Sequence, residues 1–167
     1  MSRELAVTVM VAVAVLILLA MLLAWRARLR RDSGLVAPLG VPEHAEVQSR
    51  HEVLYVATTR HDHSLERLAV RPLAYRARGE AAVTDRGLAL SLDGSPTVFV
   101  AADRLVSVDR ATVTIDRVVE PGGLVRLAWK IDDETVVDSY LRFTGDPRAV
   151  ITELQRLCAA PETGESE

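Results

Sequence analysis

An uncharged run of twenty residues, Leu5–Ala24, followed at once by Trp25 and by Arg26, Arg28, Arg30 and Arg31, constrains this chain more than any other feature. At about 1.5 Å of rise per residue, a helix of that length covers about 30 Å, the thickness of a bilayer's hydrocarbon core. A secretory leader has a shorter apolar region, about 7–15 residues, and ends in small residues at a cleavage site. Here Leu22-Leu23-Ala24 is a poor cleavage motif, and bulky basic residues follow it. The run reads as a retained anchor that meets the lipid bilayer through residues 5–24. Trp25 falls where an indole rests at headgroup level, and the four arginines fall where guanidinium groups reach the phosphates. Basic residues beside a span stay in the cytoplasm, and only Arg3, opposed by Glu4, precedes it. The expectation is a single pass through the cell membrane, with the N-terminus outside and the C-terminal domain cytoplasmic.

Charge is partitioned unevenly along the chain. Residues 1–31 hold five of the twenty basic residues and one of the 23 acidic ones, so the remainder carries 15 basic and 22 acidic residues, a formal −7. An acidic domain lacks the basic footprint that nucleic acid demands, so no nucleic-acid partner is expected. Contact with anionic lipid falls to the juxtamembrane arginines, each worth about 1 kcal/mol near such a surface. The single cysteine, Cys158, excludes an internal disulfide and a cysteine-based zinc cluster, and reads as a buried, inert thiol.

Punctuation and periodicity divide the chain into an anchor with its basic flank (1–31), a linker (32–50), one β-rich domain (51–158) and an acidic tail (159–167). Gly34, Pro38, Gly40 and Pro42 oppose a continuous helix in the linker. From Glu52 the period changes to two. Strands are expected at 52–59, across 73–84, at 88–92, 97–101, 105–109, 112–119, 124–131 and 135–143. Between the first two, residues 61–72 read as a loop with a helical turn through Leu65–Leu68. Asp85-Arg86-Gly87 marks a hairpin turn, followed by Leu88, Leu90 and Leu92 on one face. Pro121-Gly122-Gly123 is a break. Trp129 falls on a core face, whereas Tyr140 alternates with Asp138 and Arg142 and is expected to be exposed. Gly145-Asp146-Pro147 starts a helix, with an aspartate to cap free amides and proline at the first position. Val150, Ile151, Leu154, Leu157 and Cys158 then form its apolar stripe.

Few residues offer chemistry. His61-Asp62-His63, with His51 nearby, is the one group with metal-ligand residue types, but its spacing is unspecific and a solvated loop is the favoured reading. Ser64 lacks the glycine-framed turn of a nucleophile. Pro121-Gly122-Gly123 lacks the lysine and spacing of a phosphate loop. Arg76 with Arg78, and Arg126 with Lys130, share strand faces that read as solvated surface. No catalytic residue, metal or cofactor is expected.

About seven short antiparallel strands closed by one C-terminal amphipathic helix is the element order of a pleckstrin-homology-like (PH-like) barrel, in which the helix covers an open end of a bent sandwich. The segments Glu52-Val-Leu-Tyr-Val-Ala-Thr-Thr59, Leu73-Ala-Tyr-Arg-Ala-Arg78, Val119-Glu-Pro-Gly-Gly-Leu124 and Gly145-Asp-Pro147 resemble a bacterial, chiefly actinobacterial, family of single-span membrane proteins with a cytoplasmic PH-like domain, loosely labelled membrane, export or transport proteins. Eukaryotic relatives often bind phosphoinositides through a basic cluster. Here Arg60 and Arg67 are interleaved with Asp62 and Glu66, which departs from that pattern. The resemblance implies a non-enzymatic interaction or scaffold module that holds a protein partner at the membrane. The alternative is a domain for a small molecule or lipid headgroup, accessory to export or transport.

Overall fold

The computed structural model describes residues 3–32, 34–111 and 123–159. They form two compact units, residues 1–34 and 35–167. The first is helix α1, Arg3–Asp32. Its apolar side chains are exposed all round, from Leu5 through Met10, Leu16 and Leu22 to Trp25. A helix that is apolar on every side needs an apolar surrounding, and Glu4–Ala27 is long and apolar enough to cross a membrane.

Among the described residues the second unit is built on eight antiparallel strands: β1 Val47–Arg60, β2 His63–Arg67, β3 Ala77–Thr84, β4 Gly87–Leu92, β5 Val98–Ala101, β6 Leu105–Ala111, β7 Leu124–Lys130 and β8 Val136–Phe143. A 3-10 turn, Ala102–Arg104, links β5 to β6, and helix α2, Arg148–Ala159, ends the described fold. The sheet order is β5-β4-β3-β1-β8-β7-β6, with β2 paired to β1 off this path. The long strand β1 makes this possible. Its first half pairs with β3 and its second with β8, with a register shift between Tyr55 and Ala57. Such a bulge bends the strand and increases its twist.

Alternation supplies the core. Val53 and Tyr55 of β1, Leu88, Leu90 and Leu92 of β4, Leu127 and Trp129 of β7, and Leu141 of β8 are all buried. Helix α2 adds Val150, Ile151 and Leu154. It starts as its sequence dictates: Asp146 Oδ1 accepts from the Arg148 amide at 3.0 Å, and the Ile151 amide already reaches Pro147 O at 2.9 Å. Cys158 is half-buried against the core, and desolvation pushes its thiol pKa up.

The interior also holds a chain of polar groups. Trp129 Nε1 lies 2.9 Å from Ser139 Oγ, which lies 2.7 Å from Thr58 Oγ1; the Tyr55 hydroxyl is 2.8 Å from Thr58 Oγ1 and 2.7 Å from Leu73 O. The indole can only donate and the carbonyl can only accept. Tyr55 therefore gives its one proton to Leu73 O and accepts from Thr58, which accepts from Ser139, which accepts from Trp129. Every member is satisfied, and burial pushes the Tyr55 phenol far above its ordinary pKa.

The structure departs from the sequence reading in four places. His63–Arg67 is a strand paired to β1 rather than a loop with a helical turn. Residues 73–76 lie outside the strands: Leu73 is buried and Tyr75 is 80 % exposed, and β3 begins only at Ala77. Tyr140 is 3 % exposed and Asp138 0 %, so both faces of β8 are covered there. Part of the stretch read as linker lies on the domain: Ala37 is buried, Phe99 N donates to Pro38 O, Gly40 N donates to Thr97 O, and Val47 opens β1. The expected strand at 112–119, most of the Pro121-Gly122-Gly123 break and the tail beyond Ala159 lie outside the described residues.

Candidate interaction surface

The outer face of the sheet carries most of the organised charge. Its deepest member is Asp138, whose fully buried carboxylate accepts from His61 Nδ1 at 2.8 Å and from the Asp62 amide at 3.2 Å. Arg126 approaches Asp138 Oδ2 at 3.9 Å, Asp62 at 3.7 Å and Asp109 at 3.3 Å. The carboxylate thus clasps the β1–β2 turn, where Asp62 takes φ +58°, onto β8. Asp109 and Asp138 hold the Arg126 guanidinium pKa up despite its partial desolvation. Tyr140 pairs with Ala57 and with Arg126 in register, and desolvation, with Asp138 close by, raises its phenol pKa.

Of the candidate metal ligands, the structure brings His61 and Asp62 together with Asp138, which the sequence reading had not grouped with them. His63 lies exposed on β2, and His51 belongs elsewhere. Its Nε2 lies 3.1 Å from Ser49 Oγ, and Ser49 donates to Glu153 of α2. The position a cation would take among His61, Asp62 and Asp138 is approached by the Arg126 guanidinium, which already neutralises part of the carboxylate charge. The cluster reads as a structural clasp.

A second region lies further along the same face. Cross-strand register places Arg78 of β3 and Arg142 of β8 on either side of Leu54 of β1. Together with Glu52, Glu80, Ser91, Asp93 and Thr144 they line an open groove. The wall at β4 stands close: a Cβ on Gly79 would sit 2.1 Å from Ser91 O, so only glycine permits this approach. Arg76 precedes β3 and does not line the groove, and Lys130 is exposed at the end of β7.

The two ends of the sheet differ. At β5, Leu39 bridges to Val98, and residues 38–40 occupy the edge. At β6, the other end of the path among the described residues, helix α2 packs against the strand, and Gln155 Nε2 donates to Val108 O at 2.9 Å. Trp25, Arg26 and Arg30 are exposed on α1, and for Arg28 and Arg31 only the helical backbone is described.

A bent antiparallel sheet closed by a C-terminal helix, with a filled interior and a charged outer face, defines a PH-like domain. The chain belongs to the bacterial PH domain-like family, which matches residues 36–158. No curated protein matches it. Among solved structures it is similar to the C-terminal phosphotyrosine interaction domain of mouse APBB2, with TM-score 0.50 and 11% identity over 75% of this chain and 95% of that one. It is also similar to the C-terminal domain of an unknown protein from Leishmania infantum, with TM-score 0.45 and 9% identity over 80% of this chain and 94% of that one. At these identities the likeness concerns the fold.

Proposed function

We propose that this chain is a single-pass cell-membrane protein whose cytoplasmic PH-like domain is a non-enzymatic interaction module for a protein partner. Residues 5–24 would span the bilayer, and Trp25, Arg26, Arg28, Arg30 and Arg31 would mark its cytoplasmic interface. Tethering raises the effective concentration of a partner at the membrane, so a weak contact suffices. The observation that carries the reading is the asymmetry of the sheet ends. The β5 edge is occupied by the chain's own residues 38–40, whereas β6, with helix α2 packed against it, pairs with β7 alone and has no second strand beside it among the described residues. An end strand whose backbone is not covered by another strand accepts an extended peptide by strand addition. The interior supports this over the small-molecule alternative. Trp129, Tyr55, Leu68, Leu73, Leu127 and Leu141 fill it, so a ligand would have to lie in an open surface groove.

Photo-crosslinking from position 106, where Val106 is 44 % exposed on β6, tests the reading in membranes that hold the full chain. Crosslinks from position 106 that are absent from position 39, at the occupied β5 edge, are the expected result. Equal yields from both positions, or none above background at either, would overturn it.

A further inference from the structure

The groove between β4, β3, β1 and β8 has a charge pattern that selects its occupant. Arg78, Leu54 and Arg142 lie side by side on three adjacent strands. With strands about 4.8 Å apart, the two arginines stand about 10 Å apart across an apolar floor. Both are exposed, and neither has a carboxylate partner among the described residues. Two residues further along, the next row holds Glu80 and Glu52, which pair across β3 and β1. Glu80 is tied to Arg50, so Glu52 is the carboxylate left without a cation in that row among the described residues. Asp93, whose amide donates to Arg78 O at 2.9 Å, flanks the arginine row at the β4 side. A basic row and an acidic row thus lie about 6.7 Å apart, the i to i+2 repeat of an extended chain.

We propose that this groove binds an extended peptide segment of a protein partner that carries an acidic and a basic residue at i and i+2 on one face. The acidic side chain seats between Arg78 and Arg142 over Leu54, and the basic one meets Glu52. Charge complementarity selects this occupant over an anionic surface. The groove's unpartnered groups, two arginines against Glu52 and Asp93, sum to zero, and the domain around them is net acidic. A phosphate or an anionic membrane that reached the two arginines would also meet the carboxylates of Glu52 and Asp93. The inference rests on the domain being an interaction module and is independent of strand addition at β6.

The test uses the full chain in nanodiscs of zwitterionic lipid, with Arg Nε–H and backbone amide shifts followed by NMR. The probes are the blocked peptide Val-Glu-Val-Lys-Val, its all-Glu and all-Lys counterparts, and inorganic phosphate. The mixed peptide is expected to shift Arg78, Arg142 and Glu52 together and to bind at least about tenfold more tightly than the other probes. R78E/R142E, which reverses two exposed charges and whose fold is checked by its urea midpoint, should remove that preference. Equal binding of the mixed and all-Glu peptides, or saturation by phosphate with the same shifts, would overturn the proposal in favour of a simple anion site. So would a mixed-peptide affinity unchanged in R78E/R142E. Crosslinking from position 106 that persists in R78E/R142E would show that the module reading survives such a failure.

Discussion

Ser139→Ala should cost the domain about 2–3 kcal/mol, because the serine is the one group through which the buried indole is satisfied. Trp129 is 1 % exposed, and its Nε1–H reaches Ser139 Oγ at 2.9 Å. Alanine removes that acceptor, and leaving a buried donor unpaired costs about 1–3 kcal/mol. Thr58 loses a donor as well, but keeps Tyr55 Oη as its own acceptor, so its loss is smaller, about 0.5–1 kcal/mol. The missing oxygen leaves too little room for a water to replace it. Urea unfolding followed by Trp129 fluorescence, in a Trp25→Phe background, reads the change as a lower midpoint at constant slope. Thermal unfolding should fall by about 8–12 °C, at about 4 °C per kcal/mol for a domain of this size. The double variant Ser139→Ala/Trp129→Phe removes donor and acceptor together, so its cost should be less than the sum of the two singles by about 1 kcal/mol. A Ser139→Ala loss under about 0.5 kcal/mol, or strict additivity in the double variant, would refute the one-way chain.

Alkaline pH probes the same chain through Tyr55. Its folded-state pKa lies above its unfolded value, so the stabilisation is complete below about pH 10 and is lost as pH rises beyond it, by about 1.4 kcal/mol per pH unit. Tyr55→Phe should flatten this slope, and an unchanged slope would contradict the assignment. Gly79→Ala forces a Cβ to 2.1 Å from Ser91 O and should destabilise the domain by about 3 kcal/mol, whereas Gly34→Ala, with nothing within 4 Å, should leave the urea midpoint unchanged. Asp138→Ala deprives His61 Nδ1 and the Asp62 amide of their acceptor and should lower stability by about 2 kcal/mol, partly offset by water because His61 is 37 % exposed. Amide exchange should then rise first at residues 60–63, and uniform exchange would argue against a local clasp.

What the sequence revealed followed from local chemistry. The leucine alternation at 88–92, the Asp85-Arg86-Gly87 turn and the Asp146-Pro147 helix start each encode their structure in a few adjacent residues. The misreadings came from distant partners. His63–Arg67 has little apolar alternation, and it is a strand because β1 extends far enough to pair with it. Tyr140 sits on what alternation marks as the solvent face, yet it is buried on a sheet face where Arg126 lies opposite it and the β1–β2 turn is clasped to neighbouring Asp138. Arg78 was visible as a surface charge, but Arg142 joins it across Leu54 only through the register of three strands. Local periodicity carries no information about such register.

The PH-like domain, a compact unit separate from the apolar helix α1, is expected to fold by itself while α1 holds it at the membrane. Extraction of membranes with alkaline carbonate and with high salt, from cells making either the full chain or a chain that begins at Leu35, tests it directly. The full chain should stay in the membrane pellet under both washes, while the shortened chain should be soluble with an unchanged urea midpoint. Release of the full chain by carbonate, or a shortened chain that is unfolded or still sediments with membranes, would contradict the account.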